Sequence, residues 1–179
     1  MKKFYSIVML FVFSSAICLA SQETLYEIFK SKKQVSVFIG DLTDSTKAHE
    51  VNVADLKTKL ESEFTNRKSI HFKVVTSKQE ADIVVEGAVK DFFWAPTDPV
   101  DMIMGVGMVA MDAINQEPYA RMEADLKIVD NKDQLLWADN KIIATLTKEG
   151  MTREKSVTMI NERLAAVLVR RAFGKKKSS

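Results

Sequence analysis

Residues 121–128 alternate strictly. Met122, Ala124, Leu126 and Ile128 are apolar; Arg121, Glu123, Asp125 and Lys127 between them are charged. A period of two places each set on its own face of a strand, so one face is buried and the other is wet. Such a strand cannot stand alone: it needs a pairing neighbour and an apolar layer over its buried face. Asp130, Asn131 and Asp133 then supply a turn, because short polar side chains of this type tolerate left-handed backbone. Residues 135–146 return as the partner. The pattern predicts an antiparallel hairpin with helices on one side.

The rest of the chain supplies those helices and further strands. Leu25, Ile28 and Phe29 have helical spacing, which suggests a short leading helix over residues 21–33. Residues 35–39 are β-branched or aromatic and end at Gly40, so they read as a strand, and residues 41–51 read as a polar loop. Asn52 is a helix cap with Asp55 favouring the positive amino end, and Val53, Leu56, Leu60 and Phe64 share one face. Residues 71–75 read as a second strand. Residues 82–95 read as a third, apolar enough in its first half to be central, and Pro96 and Pro99 bracket its exit. Thr152 caps a last helix, with Val157, Ile160, Leu164, Val167 and Leu168 on one face. The expected fold is α+β: a two-layer sandwich in which two amphipathic helices cover a mixed, largely antiparallel sheet.

The amino terminus sets the compartment. Lys2 and Lys3 precede an apolar run, residues 4–13, and small residues end in Cys18, Leu19 and Ala20. This is the pattern of a secretory signal over residues 1–20, and its apolar run is shorter than the roughly 20 residues that a spanning helix needs. Cleavage after Ala20 is expected. Ile17 before Cys18 departs from the small residue that precedes a lipidated Cys, so an unlipidated chain starting at Ser21 is the reading. The compartment expected is the periplasm or the periplasmic face of the outer membrane. The mature chain then has no Cys, hence no disulfide and no thiol nucleophile. Residues 21–34 form the leading helix and linker, residues 35–173 a single domain, and residues 174–179 a basic tail.

Charge narrows the partners. Removing Lys2 and Lys3 from the 26 Lys and Arg leaves as many cations as the 24 Asp and Glu. A neutral mature chain lacks the net basic face of a nucleic-acid binder, so no nucleic-acid partner is expected. The tail residues Lys175, Lys176 and Lys177 read as a solvated terminus or as a contact for anionic lipid headgroups.

Residues 98–116 fit neither sheet nor covering helices. This insert holds Met102, Met104, Met108 and Met111 among small residues. It reads as a connecting helix with Met filling gaps, or as an apolar surface for a partner or membrane, with Ile103, Val106 and Ala110 presented outward. No cofactor or metal is expected. His49 and His71 are the only histidines and have no ligand-like spacing. No Gly-x-Ser-x-Gly elbow accompanies Ser156. Asp41 and Asp44 flank a strand end as active-site carboxylates do, but in a run of Thr and Ser they read as turn residues. Trp94 and Trp137 sit in strand patterns and read as sheet packing.

Three local patterns carry a family resemblance: Val35-Ser-Val-Phe-Ile-Gly-Asp-Leu-Thr-Asp, Glu80-Ala-Asp-Ile-Val-Val-Glu-Gly-Ala-Val and Leu126-Lys-Ile-Val-Asp-Asn-Lys-Asp-Gln-Leu-Leu-Trp. Their order over residues 35–172 resembles the lipopolysaccharide-assembly lipoproteins, which plug and help assemble an outer-membrane transport barrel. It is nearly as similar to the curli-secretion and peptidoglycan-synthase-activator lipoproteins. Both groups are usually lipidated, and the Met-rich insert departs from both. The resemblance implies two helices over a sheet and a role in the envelope, and it transfers no functional residue. The function expected is that of a non-enzymatic accessory protein binding an envelope protein or outer-membrane component. A carrier of lipid or another apolar ligand and a hydrolase centred on Asp41 and Asp44 are the alternatives.

Overall fold

The computed structural model describes residues 24–96 and 118–174. In chain order they form α1 (Leu25–Phe29), β1 (Val35–Asp44), α2 (Val53–Thr65), β2 (Phe72–Val74), a 3-10 turn (Lys78–Glu80), β3 (Ile83–Ala95), β4 (Tyr119–Val129), β5 (Leu135–Thr147) and α3 (Arg153–Phe173). The strands make one open sheet in the order β2-β1-β3-β4-β5. β1 is parallel to β2 and β3, while β3, β4 and β5 form an antiparallel meander. Parallel neighbours need a crossover, and α2 supplies it between β1 and β2. The expected α+β class and mixed sheet are what the chain forms.

The covering helices begin as their caps dictate. The Asn52 side chain accepts from Asp55 N at 3.0 Å, and Thr152 accepts from Lys155 N at 3.4 Å. Leu56, Leu60 and Phe64 of α2 and Ile160, Leu164 and Leu168 of α3 are fully buried against the sheet. Each such side chain contributes roughly 1.5–3 kcal/mol relative to an exposed one. Phe64, Phe72 and Phe173 meet edge to face, with centroids 5.0 to 5.8 Å apart, and join α2, β2 and α3. A buried Asn161 links the helices: its Nδ2 donates to Asn52 O at 3.1 Å and to Asp55 Oδ2 at 2.9 Å.

The leading helix is shorter than residues 21–33 where described. Leu25 and Phe29 are buried, but Ile28 is 52% exposed, because five residues offer one contact face and no more. β1 departs further from expectation. It continues through the supposed loop to Asp44, with a register shift between Ile39 and Leu42. The bulge absorbs Gly40 and Asp41, so Thr43 and Asp44 resume pairing with Ala88 and Val89. The polar composition of residues 41–44 marks the face they present, not the end of the strand.

Further bulges lie at Lys90 in β3 and at Asn140 and Lys141 in β5. Each keeps the apolar residues on the helix side after the irregularity. Ile83, Val84 and Val85 are all fully buried, since Val84 packs under a small second cluster with Val129 and Ala81 on the uncovered face. That double burial is why the start of β3 reads as an apolar run.

Candidate functional site

The partner-binding candidates Ile103, Val106 and Ala110, the four Met beside them, and Lys175, Lys176 and Lys177 lie outside the described residues. The candidates of the hydrolase reading lie within them. Asp44 is fully engaged in its own loop. Its Oδ1 accepts from Thr46 N at 2.8 Å and Thr46 Oγ1 at 2.6 Å, and its Oδ2 accepts from Val51 N at 2.9 Å. Burial alone would raise the carboxyl; these hydrogen bonds outweigh it and hold Asp44 below the ordinary aspartate range. A carboxylate so satisfied and so acidic is a brace for the β1–α2 loop. His49 adopts a positive φ of 51° in that loop, its Nδ1 3.2 Å from Asp44 O. Ser156 is buried and donates to Arg153 O at 2.5 Å. Trp137 packs in the core, as expected.

The face of the sheet that no helix covers among the described residues carries a ladder of opposite charges. Lys127 pairs with Glu86 at 3.1 Å, Lys90 with Asp125 at 3.4 Å, and Arg121 with Asp91 at 3.1 Å and Glu123 at 2.5 Å. Where the bulges of β1, β3 and β5 converge, a groove of about 320 Å³ opens over Gly87, Ala88 and Ala138, rimmed by Lys90, Asp125 and Lys127. Gly87 makes it possible: its φ is +153°, and a Cβ there would lie 2.1 Å from Asp125 O. The charges on its rim are already paired.

The sheet's two edges differ. β2 ends one side with three residues. β5 ends the other with 13, and among the described residues it pairs with β4 alone. Natural edges are blunted by charge, proline or bulges. The bulge at Asn140 and Lys141 protects one part of β5. There Arg171 of α3 reaches down to Asp139 Oδ2 at 2.5 Å and Lys141 O at 3.3 Å. Residues 142–147, Ile-Ile-Ala-Thr-Leu-Thr, carry neither charge nor proline and run unbroken between Lys141 and Lys148. Ile142 and Ala144 are buried under the helices, Leu146 is half-buried, and Thr145 and Thr147 are exposed.

Beside this run the helix layer leaves a notch of about 230 Å³, lined by Leu146 of β5, Glu63 of α2, and Met159, Glu162, Arg163 and Ala166 of α3. Its floor is aliphatic and its rim is charged. Sequence reading missed it, because three elements far apart in the chain build it. The one local signal was Met159, an apolar residue on α3 outside the stripe assigned to the core.

Among the described residues no group of three or more His, Cys, Asp or Glu is placed to hold a metal ion, and no helix is long and apolar enough to cross a membrane.

No family model matches the chain, and no curated protein matches it in sequence. Solved structures do. PelC of Paraburkholderia phytofirmans, described as a dodecamer, is 14% identical with a TM-score of 0.41, over 75% of this chain and 87% of that one. A DUF330 protein of Xanthomonas campestris is 10% identical with a TM-score of 0.47, over 76% and 82%. A lipoprotein of Neisseria meningitidis is 8% identical with a TM-score of 0.39, over 76% and 96%. Bacterial lipoproteins are thus among the structures the chain is similar to, and these likenesses do not single out the lipopolysaccharide-assembly family.

Proposed function

We propose that this chain is a non-enzymatic accessory protein of the bacterial envelope that binds a protein partner through the free edge of its sheet. The observation that carries the reading is residues 142–147 of β5: a regular strand, paired on one side among the described residues, without the charge or proline that blunts natural edges. The amino-terminal secretory pattern supports the compartment. The engagement of Asp44 weighs against a hydrolase centred there. The ion-paired rim of the groove over Gly87 weighs against an apolar-ligand carrier using that surface. A place in outer-membrane or lipopolysaccharide assembly rests on the sequence resemblance alone.

The test is site-specific photocrosslinking in intact envelopes, with the reactive group at Thr145 on the edge and, as control, at the exposed Lys155 on α3. A discrete adduct with another envelope protein at Thr145 and none at Lys155 is the expected result. No adduct at Thr145, or the same adduct at both positions, would overturn the reading.

A further inference from the structure

We infer that the end of the domain where α1, α2 and α3 finish is a landing surface for an anionic lipid bilayer, held by Lys33, Lys68, Arg170 and the basic tail and seated by the exposed Ile28. This surface is separate from the β5 edge and does not rest on the reading of that edge.

The first argument is convergence. α2 and α3 run the same way. At one end Asn161 and Arg153 of α3 meet Asn52 and Glu50; at the other Arg67 Nη2 donates to Phe173 O at 2.6 Å. Phe29 of α1 packs on Phe173 with ring centroids 6.4 Å apart, and Val35 N donates to His71 O at 2.9 Å. Residues 30–34, 66–71 and 170–174 therefore share one end of the domain. Together with residues 175–179, which follow Gly174 in the chain, they hold ten of the 24 Lys and Arg after Ala20 and no Asp or Glu. The opposite end is balanced: residues 45–55 and 148–155 carry four cations and four acids. A chain of zero net charge is polarised along its helices.

The second argument is magnitude. Cations at helix carboxyl ends ordinarily answer the helix dipole, which places about half a negative charge at each of the two ends here. Arg67 on Phe173 O already answers one of them. Acids bordering the surface are matched by its inner cations: Glu27 by Lys30, Asp82 by Lys32 at 2.9 Å and Asp139 by Arg171 at 2.5 Å, while the charge of Glu63 bears on Arg67. Lys33, Lys68 and Arg170 are exposed, and none is in an ion pair among the described residues. With Lys175, Lys176 and Lys177 they exceed what the fold itself uses.

The third argument selects lipid. Neither the groove over Gly87 nor the notch at Leu146 is lined by any of these cations, so the charge is spread over an outer surface and not gathered around a small anion. Ile28 stands 52% exposed two residues before Lys30. An aliphatic side chain among cations suits the boundary of a bilayer, where apolar atoms enter the acyl layer and cations meet phosphate. The export pattern of residues 1–20 brings membrane surfaces within reach and leaves nucleic acid behind.

The experiment measures partition of the purified chain from Ser21 onward onto vesicles by co-sedimentation. Vesicles of phosphatidylcholine alone are compared with vesicles in which one third is phosphatidylglycerol. Binding to the anionic vesicles only, weakened by added salt, is expected. Each cation at such a surface is worth about fivefold in partition, so Lys33→Gln, Lys68→Gln and Arg170→Gln together should weaken it about a hundredfold. Lys47→Gln, Lys148→Gln and Lys155→Gln at the opposite end change the net charge equally and should leave binding within about twofold. Ile28→Ser should weaken it by about tenfold. Circular dichroism melts check that each variant is folded. No binding, equal binding to neutral and anionic vesicles, or equal loss in the two triple variants would overturn the inference. So would loss confined to a variant truncated after Gly174, which makes the tail a free polycation. A chain that ignores both vesicles and yields a discrete protein adduct from a photoreactive group at the exposed Ser69 in intact envelopes assigns the surface to an acidic protein and overturns the lipid assignment. None of these outcomes bears on Thr145, whose adduct tests the edge alone.

Discussion

The two faces of the sheet are made by the same strands and meet opposite demands. On the covered face of β4, Met122, Ala124, Leu126 and Ile128 are at most 3% exposed beneath α2 and α3. One residue away on the same strand, Arg121, Glu123, Asp125 and Lys127 stand in water and pair with β3 or with one another. Burial stabilises the first face in proportion to the apolar area removed from water. The second gains little, because exposed ion pairs contribute about 0–1 kcal/mol each. The difference teaches where this fold is brittle. Substitutions on the covered face threaten the domain, while the charged face and the β5 edge, which carry no further layer or strand among the described residues, tolerate change.

The sharpest break of that contrast is Leu126→Asp. It places a second carboxylate opposite Asp139, whose cation Arg171 is already engaged, in an otherwise apolar layer, and is expected to cost several kcal/mol or to unfold the domain. Urea melts followed by circular dichroism measure it, and a wild-type midpoint would mean that the faces are reversed. Gly87→Ala comes next, at about 3 kcal/mol, since the new Cβ strikes the Asp125 carbonyl and the positive φ is strained for alanine. An unchanged midpoint would show that the β3–β4 approach is looser than described.

A smaller effect is confined to acid and lies where strand ends meet the loops. Burial would raise Asp82, but hydrogen bonds from Ser36 N at 2.9 Å, Lys32 Nζ at 2.9 Å and Ser36 Oγ at 3.0 Å outweigh it and hold Asp82 below the ordinary range, as Asp44 is held. Native carboxylates so depressed bind protons less readily than unfolded ones. Their contribution is complete above the ordinary aspartate value of about 3.9 and is lost as pH falls through the depressed native values. Stability should therefore decline below about pH 4, and Asp44→Asn with Asp82→Asn should flatten the decline. An identical slope in the double variant would remove both groups from the acid response. The smallest change is Lys127→Ala on the open face, expected at under about 0.5 kcal/mol. Lys127→Asp would cost more, up to about 1 kcal/mol, because it faces Glu86 across the strand pair.

Much of this fold was legible locally. The alternation of residues 121–128, the Asp130–Asp133 turn, and the caps Asn52 and Thr152 each act through neighbours in sequence, and each stands where expected. The extension of β1 to Asp44 was not legible. Its pairing energy comes from β3, more than 40 residues away, and composition carries no trace of that partner. The candidate site was least legible of all. Residues 142–147 looked like any strand, and nothing in Ile-Ile-Ala-Thr-Leu-Thr says whether a neighbour lies on one side or two.

The sequence by itself determined the inward faces of β4, α2 and α3, the centres of the helices and strands, and that the chain carries an export pattern, because periodicity, caps and apolar runs are short-range properties. The tertiary structure decided the strand order, the bulges that gather around Gly87, the engagement of Asp44, and the notch between Leu146, Glu63 and α3. All of these depend on contacts between residues distant in the chain, whose free energies are set by which surfaces meet. A single sequence lists the surfaces without stating the pairs.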